Sequence, residues 1–268
     1  MSLKYVTFNV VDGIARVTLD RPDKLNALNY QMFCEIRRVQ KMIRRDANIH
    51  AVILSGAGGH FSSGLDVRSV MKQPLQAVKL LFKWLPGNAN LAQQVSLGWQ
   101  RLPVPVIAVI HGHCYGGGMQ IALGADMRYA SQDADFSIME AKWGLVPDMA
   151  GLVALRSLLP RDKALELTLT ADIIQAEDAQ TLGLITRVSA DPMADAIQMA
   201  TRLMHTSPDA AAAIKASIHR SWSASVRTLL ARESWYQIRL LLGKNSRIAA
   251  LRQTREPDKP WHPRQNGW

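Results

Sequence analysis

A mixed α/β fold is predicted by the sequence on three observations. The chain opens on alternating apolar and polar residues around an Asp-Gly turn. Two short apolar runs, AVILSG (51–56) and PVIAVIHG (105–112), each lead into a glycine-rich loop. From about residue 191 onward only helical periodicity is found. Alternation of strand and helix in the first part places helices over a sheet. The change of pattern divides the chain into 1–190, an α/β body, and 191–268, a helical region.

The elements follow in order. YVTFNV and IARVTL flank Asp12-Gly13, a strong hairpin signal, so the first two strands pair antiparallel. After the turn-like DRPDK, residues Met32, Phe33, Ile36, Val39, Met42 and Ile43 recur at helical spacing, which predicts an amphipathic helix over LNYQMFCEIRRVQKMIRR. AVILSG reads as a buried strand, and AGGHFSSGLD after it as a loop. Residues 70–102 are less regular, mostly helical with a break at Pro86-Gly87. PVIAVIHG restores a buried strand ahead of Gly116-Gly117-Gly118 and a helix. DMRYA and ADFSIM read as strands, and AKWGLVPDMAGL as a loop punctuated by Gly and Pro. Three helices follow, in DPMADAIQMATRLMH, SPDAAAAIKASIHRSW and SASVRTLLARESWYQIRLLLG, with Trp222, Trp235 and Tyr236 expected in the core or at a subunit contact. The Pro-rich tail REPDKPWHPRQNGW is expected to be loosely held.

Composition narrows the class. With 268 residues, 48% hydrophobic and 20% charged, the chain has material for a sizeable core and is not a disordered sequence. Two cysteines, Cys34 and Cys114, are too few for a disulfide scaffold and point to a reducing compartment, with the cytoplasm expected. MSLKYVTFNV is not a signal peptide, and no apolar run is long enough to span a bilayer, so no membrane partner is expected. The formal charge of +10 invites an anionic partner. Its carriers are scattered, however (Arg37, Arg38, Lys41, Arg44, Arg45, then Arg220, Arg227, Arg232, Arg239), without the interleaved aromatics of an RNA-binding sheet, and solvated helix faces account for them. No nucleic-acid partner is expected. His111, His113 and Cys114 lack a second ligand cluster, so no metal site is expected there.

The two glycine-bearing loops, GAGGHFSSGLD and HGHCYGGGMQ, match neither nucleotide fingerprint: GxxxxGK[ST] is absent, and no GxGxxG joins a first strand to its helix. Backbone N–H groups presented by such loops can cradle a phosphate or hold a developing oxyanion, and the residues alone leave both open. Glu140, in the apolar context FSIMEAKWGLVP, is a carboxylate whose desolvation would make it a proton carrier near neutrality. It can equally be a surface acid beside Lys142. Asp148 lies eight residues on, in a Gly/Pro loop.

Five ordered segments carry a resemblance: LDRPDKLNALN (19–29), AVILSGAGGHFSSGLDV (51–67), PVIAVIHGHCYGGGMQIALGADMRYAS (105–131), ADFSIMEAKWGLVPDMAG (134–151) and AEDAQTLGLITRV (176–188). Together they resemble the enoyl-CoA hydratase/isomerase, or crotonase, superfamily over most of the chain. The resemblance implies a crotonase-like spiral of β-β-α turns in 1–190, carrying the CoA and oxyanion-hole site. It also implies C-terminal helices in 191–268 that pack in a homotrimer or a dimer of trimers. The implied substrate is an acyl-CoA thioester, with no cofactor beyond the coenzyme A that is part of it. The backbone N–H groups of Leu65 and Gly117 would hold the thioester oxygen. Coenzyme A would lie against Lys24, Leu25, Leu65, Asp66, Val67 and Arg68, and an apolar tail against residues 70–102, including Met71, Leu80, Leu81, Phe82 and Trp84.

Hydratases of this family carry two glutamates, and the matching positions here read Gln120 and Glu140. A glutamine can orient water or substrate but cannot exchange a proton. One acid suffices to move a double bond, so isomerisation of an enoyl-CoA is expected, with Glu140 as base and acid, Asp148 as a second proton carrier and Gln120 as an orienting group. Dienoyl-CoA isomerases of the family carry a second carboxylate at the position of Asp148, and a third acid where Gln120 stands. The alternatives are 2-enoyl-CoA hydration, CoA-thioester hydrolysis and a non-catalytic RNA-binding role.

Overall fold

The computed structural model describes residues 2–268, apart from the side chain of Met71. Strands β1 (Val6–Val11) and β2 (Ile14–Leu19) form the expected antiparallel hairpin, with Val11 opposite Ile14. Helix α1 (Tyr30–Arg45) starts at Asn29, whose side chain accepts from the Met32 N–H at 2.9 Å, the usual way to satisfy a free first-turn donor. Its buried face runs through Met32, Phe33, Ile36, Val39 and Ile43, whereas Met42, expected on that face, is exposed.

Strand β3 (Ala51–Gly56) follows, and then the helices α2 (Val67–Met71), α3 (Pro74–Leu81) and α4 (Leu91–Gln100). The break near Pro86-Gly87 falls between α3 and α4, and a reciprocal capping box of Asn90 and Gln93 opens α4. Strand β4 (Val106–Ile110), the short β5 (His113–Tyr115), α5 (Gly117–Leu123), β6 (Met127–Ser131) and β7 (Asp135–Ser137) come next. A 3₁₀ turn at Met139–Trp143 precedes α6 (Gly151–Leu158) and α7 (Arg161–Thr170). The remaining elements are β8 (Ile174–Gln175), α8 (Ala176–Thr181), β9 (Arg187–Ser189), α9 (Pro192–Leu203), α10 (Pro208–Ser221), α11 (Val226–Leu241) and α12 (Lys244–Thr254).

One six-stranded sheet has the order β1-β2-β3-β4-β6-β9, parallel from β2 onward, and a smaller sheet has the order β5-β7-β8. Alternation along β3 and β4 divides their side chains between two cores. Val52, Leu54, Val106 and Ala108 join α1, α4 and α5 on one face. Ala51, Ile53, Ile107 and Val109 meet Ala196 and Ala200 of α9 on the other. Both faces covered is the condition for parallel strands that read as continuous apolar runs.

The C-terminal tail departs from expectation. Its fourteen residues are strapped down rather than loose. Arg264 is buried and donates to the carbonyls of Ile49 at 2.9 Å and Asp46 at 3.1 Å. Buried Asp209 accepts from the Gln265 N–H at 2.7 Å and the Trp268 indole at 3.1 Å. Arg239 stacks 3.7 Å from the Trp268 ring centroid. Of the late aromatics, Tyr236 is buried beside Trp268, while Trp222 and Trp235 stand exposed on α10's end and α11.

Candidate active site

The two glycine loops meet where β3 and β4 end. Phe61 and Ser62 donate to the carbonyls of His111 and His113, and Tyr115 donates to Ser62, so the loops are zipped together as a short parallel ladder. Contact is close: a Cβ on Gly64, whose φ is +93°, would lie 2.9 Å from the Tyr115 carbonyl oxygen and 3.3 Å from the Gly117 nitrogen. Each glycine of the 116–118 run has its own reason. A Cβ on Gly117 would lie 2.9 Å from the Met149 sulfur and 3.1 Å from Leu28 Cδ1. Gly116 has φ +47°, a conformation that side chains resist. Gly118 packs so tightly that a Cβ would sit 2.6 Å from that of Ser62. The run serves the loops' own packing as much as any ligand.

Leu65 pairs with Leu28 in a parallel bridge: Leu28 donates to the Gly64 carbonyl, and Asp66 donates back to Leu28. That register turns the Leu65 N–H away from Leu28. Gly117 is the first residue of α5, and the first-turn N–H groups of a helix have no partner within it. Among the described residues neither N–H finds an acceptor within the chain. Two unspent backbone donors from adjoining loops can hold an oxygen that gains negative charge. Leu28 and Met149 close the wall beside Gly117.

Glu140 lies on the 3₁₀ turn, and its carboxylate reaches the same place, within ordinary contact of a Cβ placed on Gly116 (3.5 Å). Its Oε1 accepts from Gln120 Nε2 at 2.6 Å, and its Oε2 is buried without a partner among the described residues. Burial raises the Glu140 carboxyl above the usual glutamate range. The Asp148 charge pushes the same way, while Glu140's own N–H and the Gln120 amide pull it back. Asp148 stands at the rim, exposed yet crowded enough that desolvation lifts its carboxyl too. Water reaches it, so that lift is weaker than a sealed site would impose.

Gln120 is placed differently from expectation. Its Oε1 accepts from both Met149 and Gly151 N–H groups at 2.9 Å, which fixes the amide so that Nε2 must face Glu140. The side chain is buried, with its acceptor spent on backbone. It therefore aims the Glu140 carboxylate and anchors the 148–151 loop, rather than orienting water or substrate through its oxygen.

The residues expected against coenzyme A lie along one border. Lys24 and Leu25 end the 3₁₀ turn Pro22–Lys24, with Leu25 at φ +49°, and both are exposed. Val67 and Arg68 open α2, and Arg68 is exposed. Asp66 has a structural job: it caps α2 through the Ser69 N–H at 3.0 Å and pairs with Arg21 at 2.7 Å. Of the expected tail-pocket residues, Leu80 is buried in the core and Leu81, Phe82 and Trp84 are exposed, while the Met71 side chain lies outside the described residues.

Asn26 escaped the sequence reading. Buried at φ +53°, it donates to the carbonyls of Ala57 and His60, accepts from the Arg21 N–H at 2.8 Å, and its carbonyl receives the Ser62 hydroxyl. It ties the RPDKLNAL segment to the first glycine loop. The available signal was an Asn in a short loop, the residue best suited after Gly to a left-handed conformation. The histidines go into packing of this ladder. His111 Nε2 meets the Gly58 carbonyl at 2.8 Å, and His113 stacks between His60 and Tyr115 with Nδ1 on Asp135 at 2.7 Å.

A family model described as enoyl-CoA hydratase/isomerase matches residues 9–242. The chain belongs to the enoyl-CoA hydratase/isomerase family. It is an enzyme of the crotonase superfamily, with that superfamily's mixed α/β fold and a helical C-terminal region. Among curated family members, the peroxisomal Delta(3,5)-Delta(2,4)-dienoyl-CoA isomerase of Arabidopsis thaliana is 30% identical over 266 residues, covering 96% of both chains. The mitochondrial enzyme of the same name from Homo sapiens is 34% identical, over 80% of this chain and 67% of that one. Among solved structures, the enoyl-CoA hydratase of Mycobacterium tuberculosis H37Rv superposes with a TM-score of 0.84 at 28% identity, covering 97% of this chain and 99% of that one.

Proposed function

We propose that the protein moves a double bond within an enoyl-CoA thioester, with Glu140 carrying the proton and the N–H groups of Leu65 and Gly117 holding the enolate oxygen. One observation carries this reading. The buried Glu140 carboxylate reaches the glycine loop that carries the Gly117 N–H, while the neighbouring position holds an amide that cannot exchange a proton. Removing a proton from C2 of a 3-enoyl thioester gives an enolate conjugated through C4. Returning that proton at C4 leaves the 2-enoyl compound, with no atom gained or lost. Gln120, as a positioning residue, keeps the Glu140 carboxylate on the path between the two carbons.

A second reading has its own support: Asp148 influences Glu140 and stands at the site's rim, and the two relatives above bear the dienoyl-CoA isomerase name. In a 3,5-dienoyl thioester the proton leaves C2 and is delivered at C6, a span that two carboxylates cover better than one.

The remaining assignments are of the same standing. Coenzyme A lies along Lys24, Leu25, Leu65, Asp66, Val67 and Arg68, and no cofactor beyond it is used. Residues 1–190 carry the site, and 191–268 supply the assembly surface of a homotrimer or dimer of trimers, supported by exposed Ile214, Ile218, Trp222, Leu230 and Trp235 on α10 and α11. Among the described residues no helix is long and apolar enough to cross a membrane. The two unpaired cysteines favour the cytoplasm.

The test is product analysis by chromatography and mass on three substrates offered separately: 3-enoyl-, 3,5-dienoyl- and 2-enoyl-CoA. Mass-neutral conversion of either of the first two supports the isomerase and tells the two readings apart. Addition of water to the third as the only fast reaction, or release of free thiol, contradicts both.

A further inference from the structure

Three guanidinium groups gather around a cavity that the reaction does not use. Its volume is about 450 Å³, within the range of small-molecule sites. Arg44 at the end of α1, Arg101 just past α4 and Arg220 near the end of α10 line it, beside an apolar wall that includes Leu97, Leu102 and Val153. None of the three makes an ion pair with a carboxylate among the described residues. Arg44 spends one N–H on the Arg101 carbonyl at 2.7 Å, and Arg220 one on the Tyr236 hydroxyl at 2.9 Å. Each guanidinium offers five N–H donors, so most remain free. Their positive charges oppose one another: after desolvation, Arg101 and Arg220 are what depress the Arg44 guanidinium.

The cavity's other polar groups are already satisfied. Lys215, buried in its wall, donates to Asp126 at 2.7 Å and to the carbonyls of Trp99 and Val104. His219 is fixed between Asp126 and Gln100. Asp126 is thereby neutralised from below, and the excess of cations over anions at the mouth is left uncompensated. No residue of the active site lines this cavity. Arg44 and Arg101 precede the starts of β3 and β4, whereas the oxyanion loops leave their ends, a separation of roughly 15–20 Å at ordinary strand rise.

We propose that this cavity binds a small organic dianion, a phosphate or dicarboxylate head on an apolar body, with Arg44, Arg101 and Arg220 around the head. Guanidinium forks match both heads bidentately, and the apolar wall receives the body. The bound anion supplies the counter-charge that the three arginines lack.

The experiment is calorimetric titration of the full chain with phenyl phosphate, and separately with phthalate, using wild type, R101E and R68E. The exposed Arg101 side chain makes no hydrogen bond among the described residues, so R101E folds and keeps its turnover. Arg68 lies on the proposed coenzyme A border and reports on that site instead. The expected result is binding by wild type and R68E, at least tenfold weaker binding by R101E, and weakening as sodium chloride rises. Phosphate alone binding, or both, tells which head is accepted. Equal binding by R101E, loss in R68E instead, or no binding by wild type would overturn the site. So would a fall in oligomer mass in R101E without phenyl phosphate binding to wild type, because the arginines would then serve contact between copies.

Discussion

Replacing Gln120 by glutamate tests the geometry of the acid site through a magnitude the structure supplies. The introduced carboxylate keeps one oxygen where Gln120 Oε1 accepts from Met149 and Gly151, so the 148–151 loop stays anchored. Its second oxygen replaces Nε2, at 2.6 Å from Glu140 Oε1. Two full charges at that separation repel by about 6 kcal/mol at an effective dielectric of about 20, which displaces one carboxyl's titration by roughly four to five pH units. The pair therefore holds one proton across neutral pH and titrates as a unit. The unfolded chain releases both protons in the ordinary carboxylate range, so the folded Q120E protein binds the extra proton. Its stability relative to wild type must fall as pH rises from about 4 until the folded pair lets go. Thermal melting of both proteins across pH 4–9 reads this directly. Because a second carboxyl can now exchange a proton, hydration of a 2-enoyl-CoA should rise over wild type by on the order of 10². Parallel pH–stability curves would refute the argument, because they would mean that Gln120 and Glu140 are not in contact.

Other consequences follow from the same geometry. E140Q should lower isomerase turnover by roughly 10²–10⁴. Because burial raises the Glu140 carboxyl in the folded state, wild type loses stability as pH rises past the ordinary glutamate range and E140Q does not; their melting temperatures should diverge with rising pH. In G118A the new methyl meets Ser62 at 2.6–2.8 Å, and a stability loss of about 1–3 kcal/mol in urea should accompany reduced turnover as the two loops are forced apart. R264A removes the clamp on the carbonyls of Ile49 and Asp46, and unfolding titrations should show a loss of roughly 2–3 kcal/mol with the KM for substrate unchanged.

What was legible in the sequence was what local periodicity encodes. The hairpin around Asp12-Gly13, α1 and the buried strands β3 and β4 each satisfy a pattern within a few residues, and the structure has them within two residues of expectation. Strand β5 is three residues long inside a glycine loop, too short for any period to register. The hold on the tail was illegible because the carbonyls that clamp Arg264 lie more than two hundred residues earlier, and a Pro-rich segment has the same composition whether docked or free. At the site, its apolar context pointed to Glu140, while Leu65 and Gly117 came only from the family resemblance of the two glycine loops. Gln120's function depends on which of its atoms the Met149 and Gly151 N–H groups occupy, and Asn26's on carbonyls brought to it by folding. Neither leaves a mark in spacing.

The central claim is that Glu140 removes an α-proton from a thioester held by Leu65 and Gly117. Deuterium exchange at C2 of an acyl-CoA in heavy water, followed by mass for wild type and E140Q, tests it most directly. The account predicts enzyme-dependent exchange that E140Q loses while still binding the thioester. Exchange that persists undiminished in E140Q would contradict it.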